Sequence, residues 1–357
     1  MILFGLATLI QLLFWGVLFT RLCRKIDVPE PAALPPLSLI ICARNEATRL
    51  AERLPAILEQ DYPDFEVLVV DHASTDDTAS VLEKCKAVYP HLKVLHCADQ
   101  RVGKKIPLSL GLREARHEWV ALTDADCRPA SRAWLRALAR RMTLGTNVVL
   151  GYGPLEKRKG FQNAFARFEA ALTAIQYGSY ALAGMPYMGV GRNLAYRKSA
   201  IPRPPSAFAP ELLSGDDDLL VNAIANAGNT SLAFAPEAFA WSPAPASWRA
   251  FFRQKSRHLS ASTRYKPLHQ ALLGVWALSF TGHYALGILS LLNGSWTLFL
   301  ATYLSRQIVA GGVFHCLAKK LEAQDLRWKF PLLDFVLFLY YLLLTPAIWL
   351  GGRSKWK

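Results

Sequence analysis

Trp119-Val-Ala-Leu-Thr-Asp-Ala-Asp126 decides the fold. An uncharged run of strand length ends abruptly on two carboxylates. Short, near-continuous apolar runs are strands buried on both faces, the pattern of a parallel sheet. Three earlier stretches read the same way: Leu37–Ala43, Phe65–Asp71 and Leu92–Cys97. Helical segments separate them, one ending near Gln60, then Thr75–Val88 and Lys105–Arg116, and Ser131–Leu144 follows the fourth strand. Strand-helix alternation of this kind predicts an α/β domain with a mostly parallel sheet. Ligands of open α/β sheets bind beyond the carboxyl ends of the strands. Arg44-Asn45-Glu46, Asp71, Asp124 and Asp126 all fall at those ends.

The spacing of Asp124 and Asp126 suits a shared ligand. Two carboxylates about 5 Å apart repel by roughly 3 kcal/mol at an effective dielectric of ~20. A divalent cation removes that cost, and Mg²⁺ or Mn²⁺ favours one or two carboxylates plus substrate phosphates. Alone, such a pair is also an ordinary turn feature. Gly103-Lys104-Lys105 precedes a helix, where lysines and backbone amides can hold phosphate or simply form a solvated basic turn. Ser214-Gly-Asp-Asp-Asp-Leu219 opens another helix. Ser214 with Asp217 has the spacing of a capping box, but three consecutive aspartates exceed what capping needs. The surplus, Asp216 and Asp217, suits a general base.

The ends of the chain are apolar. The charged fraction is only 19% and the hydrophobic fraction 52%. Residues 1–20 carry no charge, and Arg21, Arg24 and Lys25 follow. About 20 helical residues span a bilayer core, and a basic flank belongs on the cytoplasmic side. This predicts a retained N-terminal anchor rather than a cleaved signal, which carries its positive charges first. Three further spans are expected at Ala271–Leu292, Ser295–Ala318 and Pro331–Leu350. His283 and Arg306 lie inside two of them, so they should face a bundle interior. Lys319, Lys320, Arg327 and Lys329 mark a cytoplasmic loop, although four spans would then leave the basic tail Arg353–Lys357 outside. Trp248–Lys266 interleaves aromatics with Arg249, Arg253, Lys255, Arg257 and Arg264, as an interfacial amphipathic helix does. The net charge of +14 suits an anionic leaflet or phosphates. Nothing reads as a nucleic-acid motif. The six cysteines show no CxxC spacing, and disulfides are not expected in a reducing compartment.

Taken together and in order, these segments resemble the inverting family 2 glycosyltransferases. They are most similar to the membrane branch that includes the ceramide-glucosyltransferase-like enzymes and processive synthases. Ser38-Leu-Ile-Ile-Cys-Ala-Arg-Asn-Glu46 resembles the family's first strand, and Val69-Val-Asp-His-Ala-Ser-Thr-Asp-Asp-Thr78 its VVDDGSTDxT segment. Gly103-Lys104 with Leu108-x-x-Gly111 is similar to its GKxxALNxG helix start, and Thr123-Asp-Ala-Asp126 to its metal motif. Ser214–Leu219 resembles its acceptor-base motif, and Gln254-Lys-Ser-Arg-His258 its QxxRW motif. The resemblance runs from about Ser38 to Arg264.

It implies a GT-A fold, which is Rossmann-like with a mostly parallel sheet, carrying one N-terminal and about three C-terminal transmembrane helices. The implied division is an anchor at 1–21, a linker at 22–36, a nucleotide-sugar half at 37–150 and an acceptor half at 151–245. An interfacial segment at 246–267 and a membrane region at 268–357 follow. The implied donor is a UDP-hexose and the acceptor a membrane lipid or lipid-linked molecule. The implied setting is the cytoplasmic face of a bacterial inner membrane. By position, Asp71 and Asp124 would bind the nucleotide, with Asn45, Glu46, Lys104 and Arg192 on the donor side. Asp126 and Asp124 would hold the metal, and Asp217 beside Asp216 would take the acceptor proton. Gln254 and Arg257 would hold the diphosphate or the acceptor end. His72 and Ala73 depart from the family's Asp and Gly, and His258 from its Trp. The last departure favours a single transfer over polymer synthesis. A scaffold that keeps the fold without the chemistry, or a polysaccharide synthase, is the competing reading.

Overall fold

A computed structural model describes residues 1–24, 31, 33–99, 101, 103–202 and 216–349, except for the side chains at 216, 257–260 and 344–349. Ser214, Gly215, Lys25 and the tail Arg353–Lys357 lie outside the described residues. The chain divides into two compact units.

The first is an α/β unit formed by Asp27–Glu156 and Pro186–Ala244. Its strands are β1 (Leu37–Ala43), β2 (Phe65–His72), β3 (Leu92–Cys97), β4 (Trp119–Asp124), β5 (Arg128–Pro129), β6 (Val148–Gly151), β7 (Leu194–Arg197), β8 (Thr230–Ala233) and β9 (Ala240–Trp241). Seven of them form one sheet in the order β3-β2-β1-β4-β7-β6-β8, while β5 and β9 pair separately. β1 to β4 are mutually parallel, β7 runs antiparallel to both β4 and β6, and β8 is parallel to β6. The register sets Asp71 opposite Ala43 and Asp124 opposite Cys42, so both acids stand at one sheet edge.

Alternate residues of the apolar strands serve opposite faces. Leu37, Leu39 and Ile41 pack in one core with Leu50, Leu54 and Ile57 of helix Ala47–Leu58, and with Trp134, Leu135 and Leu138. Each such side chain contributes about 1.5–3 kcal/mol when fully buried. On the other face, helix Lys105–Glu114 lies so close that a Cβ on Gly111 would come 2.7 Å from Ile40. The four strands read from the parallel-sheet pattern appear with those bounds, β2 extending one residue further to His72. The helix expected over Ser131–Leu144 is shorter, Trp134–Ala139. The chain turns at Thr143–Thr146, where Gly145 takes φ +85°, a conformation a helix cannot hold.

The second unit is helical and comprises Met1–Ile26, Lys157–Met185 and Pro245–Ser354. Helix Phe161–Leu182, which the sequence reading put in the acceptor half, belongs here. The reason is its aromatic face: the Phe168 ring lies 5.3 Å from Phe314 and 5.9 Å from Phe330, and Phe165 lies 5.6 Å from Tyr340. Arg167 adds a two-pronged pair with Asp325, both contacts at 2.8 Å. Helix Trp248–Ser262 starts on Ser247, whose hydroxyl accepts the Ala250 amide. Among the described residues, two helices are long and apolar enough to cross a membrane, Ile2–Cys23 at mean hydropathy 2.2 and Pro267–Leu292 at 1.4. Helices Trp296–Lys320 and Phe330–Trp349 follow them.

Candidate active site

The loops after β1 and β2 are stitched together by side chains. Asn45 sits at φ 55°, a conformation that asparagine tolerates better than most residues. Its backbone amide donates to Ser74 Oγ (3.0 Å), and its side-chain oxygen accepts the Thr75 amide (2.8 Å). Thr78 Oγ1 accepts the Glu46 amide (3.0 Å), and Asp76 accepts the Ala47 amide (3.2 Å). Asn45 and Asp76 therefore shape the floor, and Asp71 is left to line it. Asp71 is buried, accepts the Ser74 amide at 3.3 Å, and lies 3.6 Å from His96 Nδ1. His72 faces the interior, and its Nε2 has no hydrogen-bond partner among the described residues. Ala73 keeps the left-handed backbone its glycine counterpart would take, with φ 49°.

The acidic pair after β4 is held by cations. Lys104, at the start of helix Lys105–Glu114, forms an ion pair with Asp124. Arg49 Nη1 lies 3.0 Å from Glu46 and 3.7 Å from Asp126. Burial, then the adjacent Asp124 charge, pushes the Asp126 carboxyl above its ordinary range, against the pull of Lys104, Arg49 and Arg192. Burial likewise raises Glu46, and Arg49 opposes it. Ligand atoms of Asp124, Asp126 and Cys127 lie within 4.8 Å of one another. Burial, followed by both aspartates, pushes the Cys127 thiol up, and its soft sulfur suits Mg²⁺ or Mn²⁺ less well than the two carboxylates do. Two hard oxygen donors remain, whose mutual repulsion still helps to raise Asp126, and that donor set fits Mg²⁺ or Mn²⁺.

A third strand end joins the same edge. Thr123 Oγ1 donates to the Arg192 carbonyl (3.0 Å), tying the residue before the acidic pair to the loop 189–193. The Arg192 side chain lies over Gly153, where a Cβ would come 2.3 Å from its Nε. That Nε is buried without a hydrogen-bond partner among the described residues. The Gly191 amide donates to Asp217 Oδ2 (2.5 Å), and Asp217 Oδ1 accepts the Asp218 amide (3.0 Å). Asp217 thus reaches the loop that β4 holds. Asn193 locks that loop from below: it is fully buried, donates to the Tyr152 and Ala238 carbonyls (2.8 and 2.7 Å) and accepts Trp134 Nε1 (3.2 Å).

The α/β unit therefore brings together Asn45, Glu46, Asp71, Lys104, Asp124, Asp126, Arg192 and Asp217. Asp216 begins helix Asp216–Ile224, but its side chain lies outside the described residues, as does Ser214 of the expected cap. Gln254 and Arg257 lie on helix Trp248–Ser262 in the helical unit, and the Arg257 side chain is likewise outside the description. Lys104, expected on the donor side, forms its ion pair with Asp124. Arg49 was missed from the sequence. Its signal is the i,i+3 spacing from Glu46 at a helix start. Asp76 was missed because its role is tertiary; Asn193 reads from sequence as part of a donor-side loop with Gly191 and Arg192, and its part in the structure is to hold that loop from below.

The sequence signature of Glycosyl transferase family 2 matches residues 38–201. Glycosyltransferase AglE of Haloferax volcanii is 28% identical over 220 residues, covering 60% of this chain and 68% of that protein. A beta-monoglucosyldiacylglycerol synthase of Nostoc sp. is 30% identical over 175 residues, covering 46% of this chain but only 34% of that protein. Among solved structures, the mannosyltransferase PcManGT of Pyrobaculum calidifontis, in complex with GDP-Man and Mn²⁺, superposes with a TM-score of 0.62. It is 22% identical over 91% of this chain and 96% of that one, and so shares the fold. With its mostly parallel sheet and its acidic edge, the matched segment 38–201 is a Glycosyl transferase family 2 domain.

Proposed function

We propose that this enzyme moves a hexose from a UDP-sugar to a membrane lipid, once per acceptor and with inversion at the anomeric carbon. One observation carries the reading: Thr123 is hydrogen-bonded to Arg192 and the adjoining Gly191 to Asp217, so the acidic pair and a candidate base share one sheet edge. Asp71 takes the nucleoside, and Asp124 and Asp126 hold Mg²⁺ or Mn²⁺. When bound, the cation supplies positive charge to the departing diphosphate. Arg192 and Lys104 flank the same phosphates. The Gly191 and Asp218 amides orient the Asp217 carboxylate, which accepts the proton of the acceptor hydroxyl. The freed oxygen then attacks the anomeric carbon in line, and the bond to the diphosphate breaks.

The lipid acceptor is supported by the likeness to a glucosyldiacylglycerol synthase and by the apolar helices. On this reading Ile2–Cys23, Pro267–Leu292, Trp296–Lys320 and Phe330–Trp349 all cross the membrane. Arg21, Arg24, Lys266, Lys319, Lys320 and Lys329 mark the cytoplasmic ends, and the connection 293–295 carries no charge. That sets the catalytic unit on the cytoplasmic side, in a bacterium at the inner membrane. Gln254 and Arg257, on the basic interfacial helix, would hold the acceptor end. Mass spectrometry of lipid extracts from cells with and without the protein tests the reading. A lipid series heavier by one hexose supports it; a water-soluble polymer made by the purified protein contradicts it.

A further inference from the structure

The helical unit hides a charge pair that the transfer chemistry does not use. Arg306, on helix Trp296–Lys320, is fully buried, and so is Asp334 on helix Phe330–Trp349. Arg306 Nη1 meets Asp334 Oδ2 at 2.5 Å, and Nη2 meets Oδ1 at 3.2 Å. The Tyr284 hydroxyl donates to the same carboxylate, and Gln307 Nε2 donates to the Tyr284 oxygen at 3.1 Å. The guanidinium also lies 5.1 Å from the Phe280 ring centroid. Its remaining donors, Nε and Nη2, reach Gln11 Oε1 at 3.3 and 3.2 Å.

Gln11 belongs to the N-terminal helix, and its other end is also occupied. Its amide nitrogen donates to Ser279 Oγ (2.9 Å) and to the Trp276 carbonyl (3.3 Å) of helix Pro267–Leu292. One turn earlier, Thr8 Oγ1 meets His283 Nδ1 at 2.9 Å. Thr8 and Gln11 are both buried, whereas Leu3, Leu6, Leu9, Leu13 and Val17 point outward. The backbones approach closely here, since a Cβ on Gly282 would lie 3.6 Å from Ala7 Cβ. At 1.5 Å per residue, Gln11, Ser279 and Arg306 each stand about 18–21 Å from the basic end of their helix, near the middle of a bilayer core.

We infer that residues 2–23 are not a detachable anchor but one wall of a four-helix membrane bundle, docked through Gln11 onto the Arg306–Asp334 pair. An apolar helix in lipid has no hydrophobic reason to choose a partner or a rotation, so small residues and interhelical hydrogen bonds choose for it. The buried polar side chains on this helix are Gln11 and Thr8, and Gln11 alone reaches the charge pair; up to Cys23 the helix's only charge is Arg21, at the basic end. Gln11 matches its site at both ends, accepting from the arginine and donating to Ser279. The inference also explains why the two later helices carry a charge each and still belong in the membrane: the charges neutralise one another inside. It rests on the membrane reading above but not on the sugar chemistry.

The test is a cross-link in the full chain, in native membranes. Ala7→Cys with Gly282→Cys places two Cβ atoms at a separation that a disulfide spans. Cys23 and Cys316, both free cysteines of the helical unit, are changed to Ser to remove competition. Oxidation should give the 7–282 linked peptide by mass spectrometry. Adding Gln11→Leu should slow its formation by about five-fold, the scale of one intramembrane hydrogen-bond cluster. Arg306→Leu alone should lower the yield of folded protein in detergent, and Arg306→Leu with Asp334→Leu should restore it, because no unpaired charge remains. A Gln11→Leu chain that cross-links at the parental rate overturns the docking. A double variant no better folded than the single one overturns the pairing. Neither readout depends on glycosyl transfer, so a failed transfer assay leaves both readable.

Discussion

Asp126 and Ala73 show how differently single residues were legible. The acidic pair could be read from its place at a strand end. What could not be read was its surroundings: Arg49 arrives from helix Ala47–Leu58 and Lys104 from the turn before Lys105–Glu114. Both contacts depend on how helices pack on the sheet. With Asp126 pushed up by burial and by Asp124, divalent cation binding should depend strongly on both carboxylates. Asp126→Asn should weaken Mn²⁺-dependent UDP binding by ten-fold or more, on the order of 1.4 kcal/mol, in calorimetry with and without Mn²⁺. Unchanged binding would remove Asp126 from the metal role. Ala73 replaces the family's glycine, yet the backbone holds φ 49°. A left-handed conformation costs a non-glycine residue about 1–2 kcal/mol, and the chain entropy of glycine returns part of that. Ala73→Gly should therefore raise the stability of the α/β unit by up to about 1 kcal/mol in thermal melts. A destabilised variant would mean that the methyl group packs usefully.

Among elements, strands were legible and the assignment of helices to units was not. An apolar run bounded by polar residues has one solution in this sheet, so β1, β3 and β4 took the bounds their sequences imply. Phe161–Leu182 reads as a buried aromatic helix in either setting, and only its partners Phe314, Phe330 and Tyr340 set it in the helical unit. Those partners lie more than a hundred residues further along the chain, beyond any local signal. The helix over Gly111 makes the contact between helix and sheet measurable. A methyl group there meets Ile40 at 2.7 Å and Val70 at 3.3 Å. Gly111→Ala should cost about 1–3 kcal/mol through overpacking, even though alanine is the better helix former. A neutral or stabilising result in denaturant titration would show that the helix can back away from the sheet.

At the scale of the whole molecule, an α/β unit carries the acidic edge and a helical unit includes two helices long and apolar enough to cross a membrane, and that helical unit has its own acid-sensitive clasp. Arg167 hydrogen-bonds to Asp325 and holds its carboxyl well below the usual range, with Lys157 assisting against burial. A depressed folded-state value means that the clasp's contribution is complete above the unfolded value, about 3.9. It is lost as the pH falls below that, through the folded value. The melting temperature of the detergent-solubilised protein should drop between pH 5 and pH 3 by more in the parent than in Asp325→Asn. Equal drops would mean that the clasp does not stabilise the fold. The central claim is tested most directly by incubating the purified protein with UDP-[¹⁴C]hexose, Mn²⁺ and vesicles of extracted membrane lipid. The account predicts label in the organic phase at one hexose per lipid, abolished by chelation and by Asp217→Asn, while Asp217→Asn still binds UDP. Label appearing only as free sugar or as a water-soluble polymer, or full transfer by Asp217→Asn, would contradict it.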